Sequence, residues 1–220
     1  MLSLPVSCDH SAPIQPCPKL AAHNSTRFPP HVPTARSSPQ VPKPDRLRSS
    51  KQPRQLRLAA YHLDPDGTVG EAKTELGISK TLVWSPDQKK FYFGDTLANT
   101  IWAYEYDNQT GTIRKTGDHL ANFSRGLPDG STIDADGFVW NCRWGGSCIV
   151  RVAPDREIDL VVEMPMRNIT NCTFGGTNFD MLYITTAASP DNKGDRLVGG
   201  LFTVRTNTRG IPENRFLLES

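Results

Sequence analysis

The sequence predicts an all-β protein of β-propeller type, with three whole repeat units and part of a fourth. Three observations carry this. From residue 56 onward, short runs of β-branched and aromatic residues alternate with Asp, Asn, Gly and Pro, which reads as strands and turns. Aromatic anchors recur at a period in the forties: Tyr92 to Trp140 is 48 residues and Trp140 to Tyr183 is 43. No segment holds helical periodicity over more than two turns. A period of that length with several strands per unit is the signature of propeller blades. The alternative is a sandwich of unrelated hairpins, against which the regular spacing of the aromatic anchors counts.

Residues 1–55 stand apart from that pattern. They carry eight Lys/Arg against two Asp, a balance of +6, which leaves −4 for the rest of a chain whose net charge is +2. Eleven of the 18 prolines lie there, among many Ser, Arg and Gln. Such a stretch buries too little apolar surface to offset its ordering entropy. It is read as a disordered Pro/Ser/Arg-rich tail, 1–55, ahead of a partial propeller, 56–220. The tail also resembles an organelle transit peptide in being basic, Ser-rich and acid-poor, although its prolines oppose the amphipathic helix such peptides form. "LSLPV" is too short for a secretory core. A cytoplasmic location is therefore preferred to an organellar one. The mildly acidic body gives no support for nucleic-acid binding. No apolar run reaches bilayer-spanning length, so no membrane span is expected.

The units follow in order. "LAAYHLDPDGTV" matches the later strand and turn of a first, partial unit, with Tyr61 43 residues before Tyr104. The next three units each open on a turn (Asp87, Asp136, Asn178) and run into a strand bearing Tyr92, Trp140 or Tyr183. Each continues with a second strand: Ile101-Trp102-Ala103-Tyr104, Ile149-Val150-Arg151-Val152 or Leu201-Phe202-Thr203-Val204. The polar turns "DNQTG", "PDRE" and "TNTRG" close them. The last unit carries an inserted loop, "ASPDNKGDRLVGG".

Chemistry concentrates in "SRGLPDGSTIDADGFVWNCRWGG", residues 124–146. Asp136-Gly137 reads as a turn because Phe138, Val139 and Trp140 follow at once. Asp129-Gly130 precedes the β-favouring Ser131-Thr132-Ile133, so Asp129 is either a turn residue or a ligand. The cysteines show no metal-type paired spacing. Cys142 and Cys148 either face each other across a hairpin as a disulfide or remain reduced, half-buried thiols. Cys172 stands alone. Of the two histidines in the body, His62 lies on the partial repeat and His119 in what reads as a polar loop. Five Asn-x-Ser/Thr sites (Asn24, Asn108, Asn122, Asn168, Asn171) would matter only in a secreted chain.

Several longer words narrow the reading. "GISKTLVWSPDQKKFYFGDTLANTIWAYEYDNQTG", "GLPDGSTIDADGFVWNCRWGG", "NCTFGG" and "LYITTA" resemble the gluconolactonase, regucalcin (senescence marker protein) and luciferin-regenerating enzyme family over about residues 57–216. The resemblance implies a six-bladed lactonase-type propeller, of which this chain holds an incomplete arc of about three and a half blades. It enters the repeat midway through a blade, as an N-terminally truncated member would. The family implies a divalent metal, calcium or zinc, at the mouth of the central channel, polarising a sugar-lactone carbonyl for attack by water. Asp129, in Pro-Asp-Gly, matches one of three expected metal ligands and the candidate general base. Where the family word Ile-Ser-Asn-Gly places its Asn ligand, this chain reads "ISKTL", with Lys80 at that position and Thr81 after it. The third ligand, an early Glu, has no counterpart.

The resemblance thus implies metal-dependent hydrolysis of small-molecule lactones or related esters, impaired here by the altered ligand set. The alternative is a non-catalytic, truncated or degenerate propeller acting as a weak calcium binder or an interaction scaffold. A strictosidine synthase-like hydrolase is a third class, disfavoured by the Pro-Asp-Gly and Phe-Gly-Gly words. No nucleotide-type Gly-rich loop and no plausible Ser-His-Asp set is present. Three units being half of six, a homodimer could complete a ring. If the alignment holds, Lys80 and Asp129 point into the same channel mouth and pair.

Overall fold

The computed structural model describes residues 15–16, 58–63, 66–188, 197 and 199–213. These all belong to one compact unit made of 1–17 and 56–220; a second unit, 18–55, lies outside the described residues. So does the expectation for the tail, apart from Gln15–Pro16.

Every described element is a strand. In chain order they are β1 (Gln15–Pro16), β2 (Leu58–Leu63), β3 (Val69–Leu76), β4 (Ser79–Trp84), β5 (Lys90–Asp95), β6 (Thr100–Tyr106) and β7 (Ile113–Ala121). Then come β8 (Leu127–Ile133), β9 (Val139–Trp144), β10 (Cys148–Val152), β11 (Ile158–Glu163), β12 (Ile169–Gly175), β13 (Met181–Thr186) and β14 (Leu201–Arg205). They form antiparallel sheets in the orders β2-β3, β4-β5-β6-β7, β8-β9-β10-β11 and β12-β13-β14-β1. The first three strands of the last sheet follow one another in sequence, and Gln15–Pro16 adds the outermost. The protein is thus the expected all-β propeller arc: three blades preceded by the outer half of another.

The spaced aromatics mark equivalent places. Tyr92 pairs inward with Val83 and outward with Ala103. Trp140 pairs with Thr132 and Arg151, and Tyr183 with Thr173 and Thr203. In each blade the anchor sits on the second strand and faces the third residue of the motif quoted for the next strand. Blade packing explains why such anchors are kept. Apolar residues line both faces of the β8–β11 blade, because each face meets a neighbour. Val139, Val150 and Val152 pack against Tyr92, Ile101 and Leu120 of the preceding blade. Trp140, Cys142 and Ile149 pack against Cys172, Phe174 and Leu182 of the following one. A third cluster joins Leu76 to Phe91, Phe93 and Tyr104.

That pleat decides between the two readings of Cys142 and Cys148 in favour of reduced thiols. Cys142 pairs with Ile149 and Cys148 with Arg143, so the two thiols lie on opposite faces of their blade. Both are free and buried, in different interblade clusters. A hairpin disulfide between them is ruled out by direction, despite their closeness in sequence. Burial, the largest influence on both, pushes the two thiols above the usual range.

His119 is likewise not in a polar loop. It lies in β7, buried, with its ring 4.5 Å from that of Tyr92, and its Nε2 has no hydrogen-bond partner. Burial lowers its pKa to about 4, and the charges of Lys90 and Arg156 add to the shift. An unfolded chain takes up this proton near pH 6.5. The folded chain refuses it until about pH 4, so stability should fall as pH drops through that window. His119→Phe is expected to flatten that limb by up to roughly 3 kcal/mol. Urea midpoints at pH 7 and pH 4.5 measure it; an unchanged slope would contradict the assignment.

Candidate functional site

Strands β4, β8 and β12 lie side by side as the innermost strands of three consecutive blades. All three are bulged near their first residues. The ladder shifts between Ser79 and Leu82, between Pro128 and Ser131, and between Ile169 and Asn171. Counting back three residues from the partners of Tyr92, Trp140 and Tyr183 gives Lys80, Asp129 and Thr170. A bulge frees a residue from the ladder and re-aims its side chain, which is why functional groups gather there. Asp129 is therefore part of a bulged strand rather than of a turn, whereas Asp136-Gly137 does lie in the β8–β9 turn, with Gly137 donating to the Asp134 carbonyl.

Two of the three bulge residues meet. Lys80 Nζ lies 2.9 Å from Asp129 Oδ1, with the Asp129 side chain 8% exposed and that of Lys80 36%. Gly130 is required beside them. A Cβ there would stand 2.2 Å from Asn171 Oδ1 and 2.8 Å from the Thr170 carbonyl, so β12 can close on β8 only over a glycine. Thr170 places its hydroxyl 2.8 Å from that of Thr185. Sequence reading did not single out Thr170; its signal was its equivalence to Asp129 in the repeat.

Beside the pair lies a polar group in which sequence reading missed Asn141 and Arg143. The Thr81 hydroxyl lies 2.9 Å from the Asp129 carbonyl and 2.7 Å from Ser131 Oγ. Asn141 Nδ2 lies 2.9 Å from Ser131 Oγ and 3.2 Å from both Thr81 Oγ1 and the Asp129 carbonyl. Arg143 donates to Asn141 Oδ1 at 3.0 Å. The available signal was polar Asn141 and Arg143 at alternate positions of an otherwise apolar strand.

Asp95 has a structural role. Its buried carboxylate accepts the amides of Gly77, Ile78 and Leu97 and ties β3–β4 to the β5–β6 turn. Burial pushes its pKa upward, but these amides outweigh that and hold it below the usual carboxylate range.

The residues at the mouth do not fit a divalent cation. An ammonium takes the place beside Asp129 that a metal would need, and like charge repels it. Among the described residues no group of three or more His, Cys, Asp or Glu is arranged to hold a metal ion. A cavity of about 380 Å³ runs along the later parts of the same strands, by Leu82–Trp84, Ser131–Ile133 and Asn171–Thr173. Lys80 and Asp129 are not among its walls.

The family model described as the SMP-30/Gluconolactonase/LRE-like region matches residues 45–188, more than half of the chain. Pentonolactonase of Haloferax volcanii is 34% identical over 164 residues, covering 70% of this chain and 56% of its own. Regucalcin of Bos taurus is 33% identical over 159 residues, 69% of this chain and 53% of its own. Among solved structures, a luciferin-regenerating enzyme matches with a TM-score of 0.63 at 30% identity, covering 69% of this chain and 52% of that one. The calcium-binding protein regucalcin from Agrobacterium tumefaciens matches with a TM-score of 0.62 at 26% identity, covering 70% and 54%. The chain spans about half the length of the curated relatives it matches.

Proposed function

This chain belongs to the SMP-30/gluconolactonase/LRE-like family, and on that premise we propose that it carries the site of a hydrolase of sugar lactones or related esters, with Asp129 as the working carboxylate and turnover impaired by Lys80. The observation that supports the reading is the placement of Asp129. It is a buried carboxylate on the bulge of an innermost strand, with its backbone fixed by Thr81 and Asn141. A carboxylate so placed can accept a proton from water as the water oxygen bonds to the ester carbonyl carbon. The ring C–O bond then breaks and the proton passes to the leaving alkoxide, giving a hydroxy acid. One relative is named a pentonolactonase, which supports a small-molecule lactone as the substrate class.

A divalent cation, calcium or zinc, would polarise the carbonyl in the family's chemistry. The residues of this chain do not fit it, so no step passes through it here. While the ammonium of Lys80 holds the carboxylate, it competes with water for the same oxygen, which supports weak turnover. Gluconolactone hydrolysis above the spontaneous rate should vanish in Asp129→Asn at unchanged melting temperature, a loss of about 100-fold or more for a general base. A rate equal to that of the unmodified chain would overturn the assignment.

A further inference from the structure

The geometry points to Asn141 as the positioning residue of the channel-mouth site: its amide holds the Asp129 bulge where the carboxylate meets Lys80, and Arg143 sets the direction of that amide. The inference rests on the reading of Asp129 and Lys80 as the working pair and adds the residue that places them.

Asn141 is fully buried on β9, on the face turned toward the preceding blade. Its Nδ2 lies between two strands. It reaches Ser131 Oγ and the carbonyls of Asp129 and Gly130 on β8, the last at 3.4 Å, and Thr81 Oγ1 on β4. These are the strands that carry Asp129 and Lys80, and Thr81 follows Lys80 directly. A bulge leaves carbonyls without ladder partners, and a buried carbonyl left unpaired is costly. The Asn141 amide lies within donating distance of both bulge carbonyls, joining the Thr81 hydroxyl at that of Asp129. An apolar side chain at this position would leave both carbonyls without it.

Arg143 determines which way the amide points. Its Nη1 donates to Asn141 Oδ1, so Nδ2 must face the bulge. Arg143 is held in turn by the Asn99 side chain at 2.7 Å and by the carbonyls of Arg125 and Gly126 at 3.1 and 2.7 Å. Arg143 is 1% exposed, and no carboxylate pairs with it among the described residues. A buried guanidinium satisfied only by neutral oxygens is an expensive way to fill space. It is well suited to orienting one amide, because its planar fork donates in fixed directions.

The test reads the pair without relying on turnover. Lysines of the full chain are acetylated under limiting reagent and quantified by mass spectrometry. Asp129→Asn sets the scale: Lys80 labelling should rise roughly two- to fivefold, which is what a partly exposed ion pair is worth. Asn141→Ala should raise Lys80 labelling into the same range, with Lys90 and Lys115 unchanged and near-ultraviolet circular dichroism native. A folded Asn141→Ala with Lys80 labelling at the native level overturns the inference. Should that variant fail to fold, Asn141→Ser, which keeps a hydroxyl donor, decides by the same comparison and is expected between native and Asp129→Asn. If Asp129→Asn leaves Lys80 labelling unchanged, the pair itself fails, an outcome separate from failure of the positioning role.

Discussion

Lys80→Asn is expected to raise the affinity of the chain for calcium and zinc by at least about tenfold. The reason is charge. An ammonium about 4 Å from a divalent ion opposes it by about 2 kcal/mol even in a water-like medium. That corresponds to roughly 30-fold in binding. The Lys80 side chain is 36% exposed and can swing partly away, so the measured gain should fall somewhat short of that. Asparagine offers a neutral oxygen at the same bulge and frees Asp129 to bind. Calorimetric titration of three proteins decides the point. The unmodified chain should bind weakly, Lys80→Asn more tightly, and Asp129→Ala not measurably. Tight binding by the unmodified chain that survives Asp129→Ala would place the metal elsewhere. If the affinity gain brings faster gluconolactone hydrolysis, Lys80 is the element that impairs turnover.

Parts of this architecture were legible in the sequence and others were not, for identifiable reasons. The second and third strands of each blade announced themselves because they lie between neighbouring blades and are apolar or aromatic on both faces, as in "KFYFGD" and "VWNCRW". Strand β7, outermost in its blade, is largely polar and little of it is buried, so "IRKTGDHLA" read as a loop and concealed the buried His119. The inner strand "LPDGSTI" carries Pro, Asp and Gly because it must bulge, and those residues imitate a turn. The pairing of Lys80 with Asp129 followed from aligning "ISKTL" and "LPDG" with the family words, and the two groups do stand 2.9 Å apart. Asn141 and Arg143 lie inside the family word "GLPDGSTIDADGFVWNCRWGG", but the resemblance gives them no role. Their meaning appears only when the β9 pleat turns both toward the preceding blade, a fact of tertiary packing.

Two ion pairs that involve the β8–β11 blade illustrate how burial divides function from support. The Lys80–Asp129 pair is open on its lysine side, so the ammonium can exchange for water or substrate at small cost. The Asp134–Arg151 pair is closed. Asp134 is wholly buried and has no solvent to fall back on, and Arg151 is 14% exposed.

Asp134→Ala is accordingly expected to destabilise the protein by about 3–5 kcal/mol, the range for removing one partner of a buried pair. Oδ1 of Asp134 accepts the amides of Asp136 and Phe138 and so shapes the β8–β9 turn. Oδ2 accepts Trp140 Nε1 at 2.9 Å and Arg151 Nε and Nη2 at 2.9 and 2.7 Å. Truncation leaves the repeat's own anchor, Trp140, with a buried indole N–H and no acceptor. It also leaves Arg151, whose guanidinium lies 3.7 Å from the Phe138 ring, with only the half-exposed Asp159 as counter-charge. Asp134→Asn keeps one oxygen, which can serve the turn amides or the indole but not both, and loses the charge, so it should fall between alanine and wild type. Asp159→Ala removes the exposed half of the same network and should cost no more than about 1 kcal/mol. Urea denaturation of the three variants orders them. If Asp134→Ala proved no worse than Asp159→Ala, the buried pair would not be what holds the anchor of this blade in place.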